Sequence, residues 1–197
     1  MPPRGWPAPE SCSGDNVLDY IRDGAEIYRR SFSIIRAEAD LSAVPADLEK
    51  LALRIAHASG MVDVIADLRA SPGAGARGRA ALADGAAIVC DSPALARGIT
   101  RSRLPADNAV RLLSETENLA GTVLAVGSDP AIIEGLATRQ DRPALVLAFP
   151  VGFAGEAEAK AALAAGAGEI AFVTLLGTRG GTAMAAAAVN ALATERE

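Results

Sequence analysis

Four stretches of the chain carry apolar runs that are continuous rather than alternating: "AAIVC", "TVLAVG", "PALVLAFP" and "EIAFVTLLG". A strand wetted on one face alternates polar and apolar residues. Continuous runs of this length instead predict strands covered on both faces. Between and after them lie three helical stretches, "DPAIIEGLATRQ", "GEAEAKAALAAGA" and "GGTAMAAAAVNALATE". Strand and helix in alternation imply parallel strands joined by crossover helices. The expected fold is therefore α/β, a three-layer sandwich with a mainly parallel sheet and helices on both faces.

The earlier part of the chain is patterned for helices. "DGAEIYRRSFSIIRAEAD" opens on Asp23, a capping residue, and places Ile27, Ser31, Ile34 and Ile35 at helical spacing. A second helix is predicted from Pro45, a residue favoured in a first turn, to Gly60, which suits the left-handed position after a helix. "PGAGARGRAALADG" repeats the arrangement of proline at the start and glycine at the end. Residues 20–197 are expected to form one domain, and residues 1–19 a disordered leader rich in Pro, Gly and Ser.

Composition narrows the setting. With 197 residues, 50% of them hydrophobic and 22% charged, the chain can bury a full core. A net charge of -5 argues against a nucleic-acid partner, since phosphate binding needs a surplus of Lys and Arg on one face. The leader contains no apolar run of signal-peptide length, and "AMAAAAVNALA" is too short and too alanine-rich to cross a bilayer, so no membrane partner and a cytoplasmic location are expected. Cys12 falls in the leader and Cys90 ends an apolar run, which argues against a structural disulfide. One histidine and two distant cysteines cannot build a zinc-type cage, so no metal site is expected.

Candidate chemistry gathers at the ends of the apolar runs. In open α/β sheets ligands collect at the carboxyl ends of strands. Here "VGSDPA", "FPVGFAGE" and "LLGTRGGTA" place Gly, Ser, Thr or Pro there, with Arg179 in the last. Such turns expose backbone N–H groups to anions, although strand-to-helix turns need these residues in any case. No G-x-G-x-x-G follows the first continuous run, no G-x-x-x-x-G-K-S/T is present, and no G-x-S-x-G elbow is available to serve a serine nucleophile.

The single histidine is His57, in "LALRIAHASGMVD". On a helical projection Leu48, Leu51, Ala52, Ile55 and Ala56 share one stripe and His57 falls nearly opposite. Its place in the last turn puts it at the negative end of the helix dipole, which favours the protonated ring. Position alone leaves two readings, a stabilising helix-end histidine or a proton donor.

"YIRDGAEIYRRSFSIIRAEADL", "RIAHASG", "GAAIVCDSPALARGITRSRLP", "PVGFAGEAEAK" and "GTRGGTAMAAAAVNALA" together resemble the precorrin-8X methylmutases, methyl-migrating isomerases of cobalamin biosynthesis. The resemblance runs from Tyr20 to about Ala193. It implies that His57 is the catalytic residue and that Ser31, Thr100, Arg101 and the turn holding Gly177, Arg179, Gly180 and Gly181 contact the substrate. It further implies a tetrapyrrole substrate, precorrin-8X or its cobalt form, no cofactor, and a homodimer. One departure stands out: after "RSRLPADNAV" the family carries a further strand end, a loop and an "N-T-R" stretch, where only "RLLSETEN" intervenes here. A catalytically weak corrinoid-binding or carrier protein is the alternative reading.

Overall fold

The computed structural model describes residues 23–166 and 170–194; the expected leader, residues 1–19, lies outside the described residues. Six strands form one sheet among the described residues: β1 (Leu68–Ala70), β2 (Ile88–Cys90), β3 (Val110–Leu112), β4 (Val123–Val126), β5 (Leu145–Ala148) and β6 (Phe172–Leu175). The four continuous apolar runs supply β2, β4, β5 and β6, and every residue of these strands is buried. Their side chains divide by the period of two that a strand imposes. Ile88, Cys90, Val123, Ala125, Leu145, Leu147, Val173 and Leu175 enter one core. Val89, Leu124, Val126, Val146, Ala148 and Phe172 enter the other.

The first core is covered by α1 (Gly24–Glu38), α2 (Glu49–Ser59), α3 (Ala74–Ala83), α4 (Pro93–Gly98) and α7 (Thr182–Ala193). The second is covered by α5 (Pro130–Gly135) and α6 (Glu156–Gly166). The three-layer α/β sandwich is thus as the pattern predicts. Strand order is β1-β6-β5-β4-β2-β3, with every pair parallel except β1 against β6.

The edge strands β1 and β3 escape the hydrophobic pattern. Each is three residues long with an exposed arginine, Arg69 or Arg111, at its centre, which is how short edges are kept from pairing with other chains. From β3 the chain crosses to β4 through residues 113–122, with a single 3-10 turn at Leu113–Glu115 and no α-helix. A parallel crossover is commonly a dozen residues or more. This one holds to the sheet by burying Leu119 in the second core.

Two helices position the site. In α1 the Asp23 carboxylate accepts from the Glu26 N–H at 2.9 Å, as its capping role predicts. The expected stripe is displaced, however: Ile27 and Ile34 are 44% and 48% exposed, while Phe32 and Ile35 are buried and Tyr28 half-buried. Both stripes satisfy helical spacing, and packing against α2 selects the aromatic one. A 3-10 turn at Ala46–Leu48 leads from Pro45 into α2, and Gly60 closes that helix at φ 68, a left-handed conformation that glycine adopts without a Cβ clash. The predicted stripe from Leu48 to Ala56 is buried. Leu53 and Arg54 are buried as well, because α1 and α7 also pack on α2.

Candidate active site

His57 does not project freely into solvent. α1 lays two aromatic rings against it: the imidazole stacks on Phe32 at 5.0 Å between centroids with 23° between planes, and Tyr28 stands 4.9 Å away, tilted by 60°. One turn back on α2, the buried Arg54 guanidinium lies 5.1 Å from the Tyr28 ring centre and 5.4 Å from that of Phe32, and it donates to the Tyr28 hydroxyl. Burial first and the Arg54 charge second hold the His57 pKa below its ordinary value. This reverses the sequence expectation. The helix-end dipole acts on an exposed ring, whereas this ring is half-covered and next to a fixed cation.

His57 lines a cavity of about 390 Å³ with Tyr28, Arg54, Thr100, Arg103 and Asn190 among its walls. The loop after α4 is held there by α7: the Asn190 side chain accepts from the Thr100 N–H at 2.8 Å and donates to the Gly98 carbonyl at 3.0 Å. Both ends of that amide are spent on the loop. Thr100 and His57 are therefore brought together, as the sequence predicts. Arg101, next in the chain, is exposed and does not line this cavity; its charge reaches Cys90, whose pKa burial and the Asp91 carboxylate push up to about 12 against the pull of Arg101. That thiol is not a nucleophile at neutral pH. Ser31 is half-buried on α1 between Tyr28 and Phe32 in sequence and lines neither this cavity nor a second one of about 630 Å³ over α1.

The turn after β6 is a different kind of place. Arg179 is not an open cation: its guanidinium donates to Asp63 at 2.6 Å and to Asp67 at 2.5 Å. Gly180 lies so close to the end of the neighbouring strand β5 that a Cβ would come within 2.3 Å of the Phe149 carbonyl oxygen, and the Gly181 N–H donates to that same oxygen at 2.6 Å. Thr178, between Gly177 and Arg179, accepts from the Gly152 N–H at 3.1 Å. Beneath both turns lies Lys160, fully buried, whose ammonium donates to the Pro150 and Arg179 carbonyls at 2.9 and 2.7 Å. Desolvation brings its pKa down to about 8. Glycine here serves close packing of two turns, and the N–H groups expected to meet anions are partly taken.

The turn after β4 is also closed from within. Asp91, at the end of β2, accepts from the Gly127 N–H, the Ser128 N–H and the Ser128 hydroxyl at 2.7–2.8 Å. A G-x-G-x-x-G spacing does occur, at Gly73–Gly78 between β1 and α3, in a stretch whose preceding strand the pattern misses. Its glycines serve packing: Asp47 accepts from the Ala76 N–H at 3.0 Å, and a Cβ at Gly75 or Gly78 would strike Asp47 or Leu145. No group of three or more His, Cys, Asp or Glu side chains suited to a metal occurs among the described residues.

Sequence reasoning passed over Tyr28, Phe32, Arg54 and Arg103. Tyr28 and Phe32 stand four apart and Arg54 and His57 three apart, so helical neighbourhood was the available signal.

Fold and cavity together define an α/β protein with a half-buried histidine in a pocket that two arginines also line. The CbiC precorrin-8X methylmutase family matches residues 26–120 and 106–195. A precorrin-8X methylmutase of Pseudomonas aeruginosa is 53% identical over 208 aligned positions, covering 92% of this chain and 100% of that protein. One from a Sinorhizobium species is 43% identical over 202 positions, covering 89% and 96%. A solved structure of precorrin-8X methyl mutase from Thermus thermophilus superposes with a TM-score of 0.77 at 29% identity, covering 86% of this chain and 94% of that one. The chain belongs to the precorrin-8X methylmutase family. Its family match falls into two pieces that overlap at residues 106–120.

Proposed function

We propose that this chain is an isomerase of cobalamin biosynthesis that moves a methyl group around the ring of precorrin-8X to give hydrogenobyrinate, with His57 as its acid. Family membership across most of the chain supports the reaction and favours it over a binding-only role. The observation that carries the residue assignment is the cavity in which His57 and Thr100 meet. In a shift of this kind the methyl–carbon bond breaks at one ring carbon as it forms at the next, and the electrons redistribute within one conjugated system. No net oxidation occurs, so the protein's task is to fix a tautomer and a ring shape. A proton from His57 to a ring nitrogen stabilises the reactive tautomer.

Substrate carboxylates call for cations, and Arg101 is open to them. Thr100 offers a hydroxyl in the cavity, and Ser31 one from α1 beside the aromatic pair. Gly177, Gly180 and Gly181 give a close-packed surface at the end of β6, which Arg179 braces through Asp63 and Asp67. Residues 20–197 are read as one domain in a cytoplasmic homodimer; no described helix is long and apolar enough to cross a membrane. Exposed Val151 and Phe153, together with Ile27 and Ile34, give a second copy apolar surface to cover. A monomer mass by light scattering at micromolar concentration would count against that dimer.

Mixing the protein with precorrin-8X and following the visible spectrum tests the reaction. Conversion to hydrogenobyrinate is the expected result. Binding of the pigment without spectral conversion would return the chain to the carrier reading.

A further inference from the structure

We propose that Arg103 receives a carboxylate arm of the substrate in the His57 cavity, and that seating this anion is what charges the imidazole. The assignment rests on the tetrapyrrole reading of the site. The charged and titratable groups facing His57 are Tyr28 from α1, Arg54 from its own helix and Arg103 from the turn after α4; α7 contributes Asn190 and alanines. Among the described residues no carboxylate lines the cavity. A histidine next to Arg54, in a cavity that Arg103 also lines and no described acid does, lacks the counter-charge that an imidazolium needs, and an anionic ligand supplies it.

Of the two arginines, Arg103 is the one placed to meet a ligand. Arg54 is buried and engaged with the Tyr28 hydroxyl and the faces of two rings. Arg103 is only half-buried, and among the described residues no carboxylate or carbonyl takes up its side chain. It also lines the larger cavity over α1, about 630 Å³, and Tyr28 is the other residue common to both. The smaller space suits a carboxylate arm, and the two adjoining spaces together approach the upper end of small-molecule sites, about 1,000 Å³. An arm entering past Tyr28 would meet Arg103 and His57 together.

Without an anion, burial and Arg54 keep His57 below its ordinary pKa, which favours the neutral ring near pH 7. With a carboxylate seated, the same ring gains a partner and takes a proton from the solvent. Binding then consumes about one proton per site, a quantity that linkage makes measurable.

Titration calorimetry with hydrogenobyrinate near pH 7, run in phosphate and in Tris, reads that proton from the difference in heat between buffers. Wild type is expected to take up about one proton and His57→Gln none. Arg103→Ala is expected to bind at least tenfold more weakly with most of the uptake lost, and Arg103→Lys to recover both in large part. Binding by Arg103→Ala within twofold of wild type, or equal uptake by wild type and His57→Gln, overturns the proposal. Wild type that fails to bind hydrogenobyrinate overturns the tetrapyrrole reading with it, whereas tight binding without uptake overturns the coupling alone.

Discussion

Two turns of this protein carry arginines and use them in opposite ways. In the turn after β6, Arg179 is bound by two carboxylates, the Gly181 N–H meets the Phe149 carbonyl while the Thr178 carbonyl takes the Gly152 N–H, and a buried lysine ties both turns from below. In the turn at Arg101–Arg103, no described acid answers either guanidinium, and the backbone is fixed from outside by Asn190. A polar group that is already satisfied has little to offer a ligand, while one left without a partner at the edge of a cavity keeps its full interaction for whatever enters. On this reading the first turn is a brace, and the second is the one we propose as a receptor. Composition alone cannot distinguish them, because both read as Gly, Thr and Arg at a strand or helix end.

The sharpest way to break this comparison is at His57, which belongs to the receptor side. His57→Ala should fold, since the ring is only half-buried and the helix stripe does not include it. Turnover of precorrin-8X should fall roughly 100-fold or more, the scale for removing a positioned general acid. Wild-type turnover should decline as pH rises through the pKa of the bound complex. Stability should move the other way: a folded pKa below the ordinary imidazole value means that the unfolded chain binds the proton more readily. The contribution of neutral His57 is therefore lost as pH falls below about 6.5, and the alanine variant should lack that slope in thermal melts. Wild-type turnover by the variant would reduce His57 to a helix-end residue.

Lys160 tests the brace. Lys160→Met keeps the aliphatic volume but leaves the Pro150 and Arg179 carbonyls without their donor, at a cost of about 2 kcal/mol in unfolding free energy. Because desolvation brings the lysine down to about 8, folded protein releases this proton before unfolded protein does, and wild-type stability should gain between about pH 8 and 10.5 from this group. The methionine variant should show a shallower rise in urea melts across that window. If the β6 turn is only a brace, turnover per folded molecule stays within threefold of wild type.

The sheet was legible in the sequence because its central strands are buried on both faces, and such burial writes itself into the chain as an unbroken apolar run. β1 and β3 were not, since three residues with an arginine in the middle carry no periodic signal. The α1 stripe was misread for a related reason: Ile27 and Ile34 fit the helix as well as Tyr28, Phe32 and Ile35 do, and only the presence of α2 decides. In the site, the family resemblance pointed to His57 and Thr100, which line one cavity. What resemblance could not show is that Arg179 is spoken for, that Arg54 depresses the histidine, and that Arg103 is open. Pairing is a tertiary property, set by residues as far apart as Asp63 and Arg179.

Arg101 sharpens the receptor side. Arg101→Ala removes an exposed cation with no described partner, so thermal stability should stay within about 0.5 kcal/mol of wild type. Hydrogenobyrinate affinity should weaken by about 1.5–3 kcal/mol if the contact is a charge-assisted hydrogen bond, read by absorbance titration. The loss should shrink at high salt, because an exposed charge is screened.

Arg179→Ala is expected to give the smallest effect on binding and the reverse profile. Its two ion pairs are partly solvent-exposed, which limits what each contributes, and their loss should lower stability by about 1 kcal/mol. Part of that cost comes from Asp63 and Asp67, which are left near each other without the shared cation. Pigment affinity should remain within threefold of wild type, since the guanidinium was never open to the ligand. Restoring the pair through Arg179→Lys should recover less than half of the stability, because a single ammonium cannot meet two carboxylates in the forked geometry of a guanidinium. If Arg179→Ala instead loses pigment affinity as strongly as Arg101→Ala, the substrate must displace Asp63 or Asp67 on binding, and the turn after β6 is a receptor that the carboxylates hold in reserve.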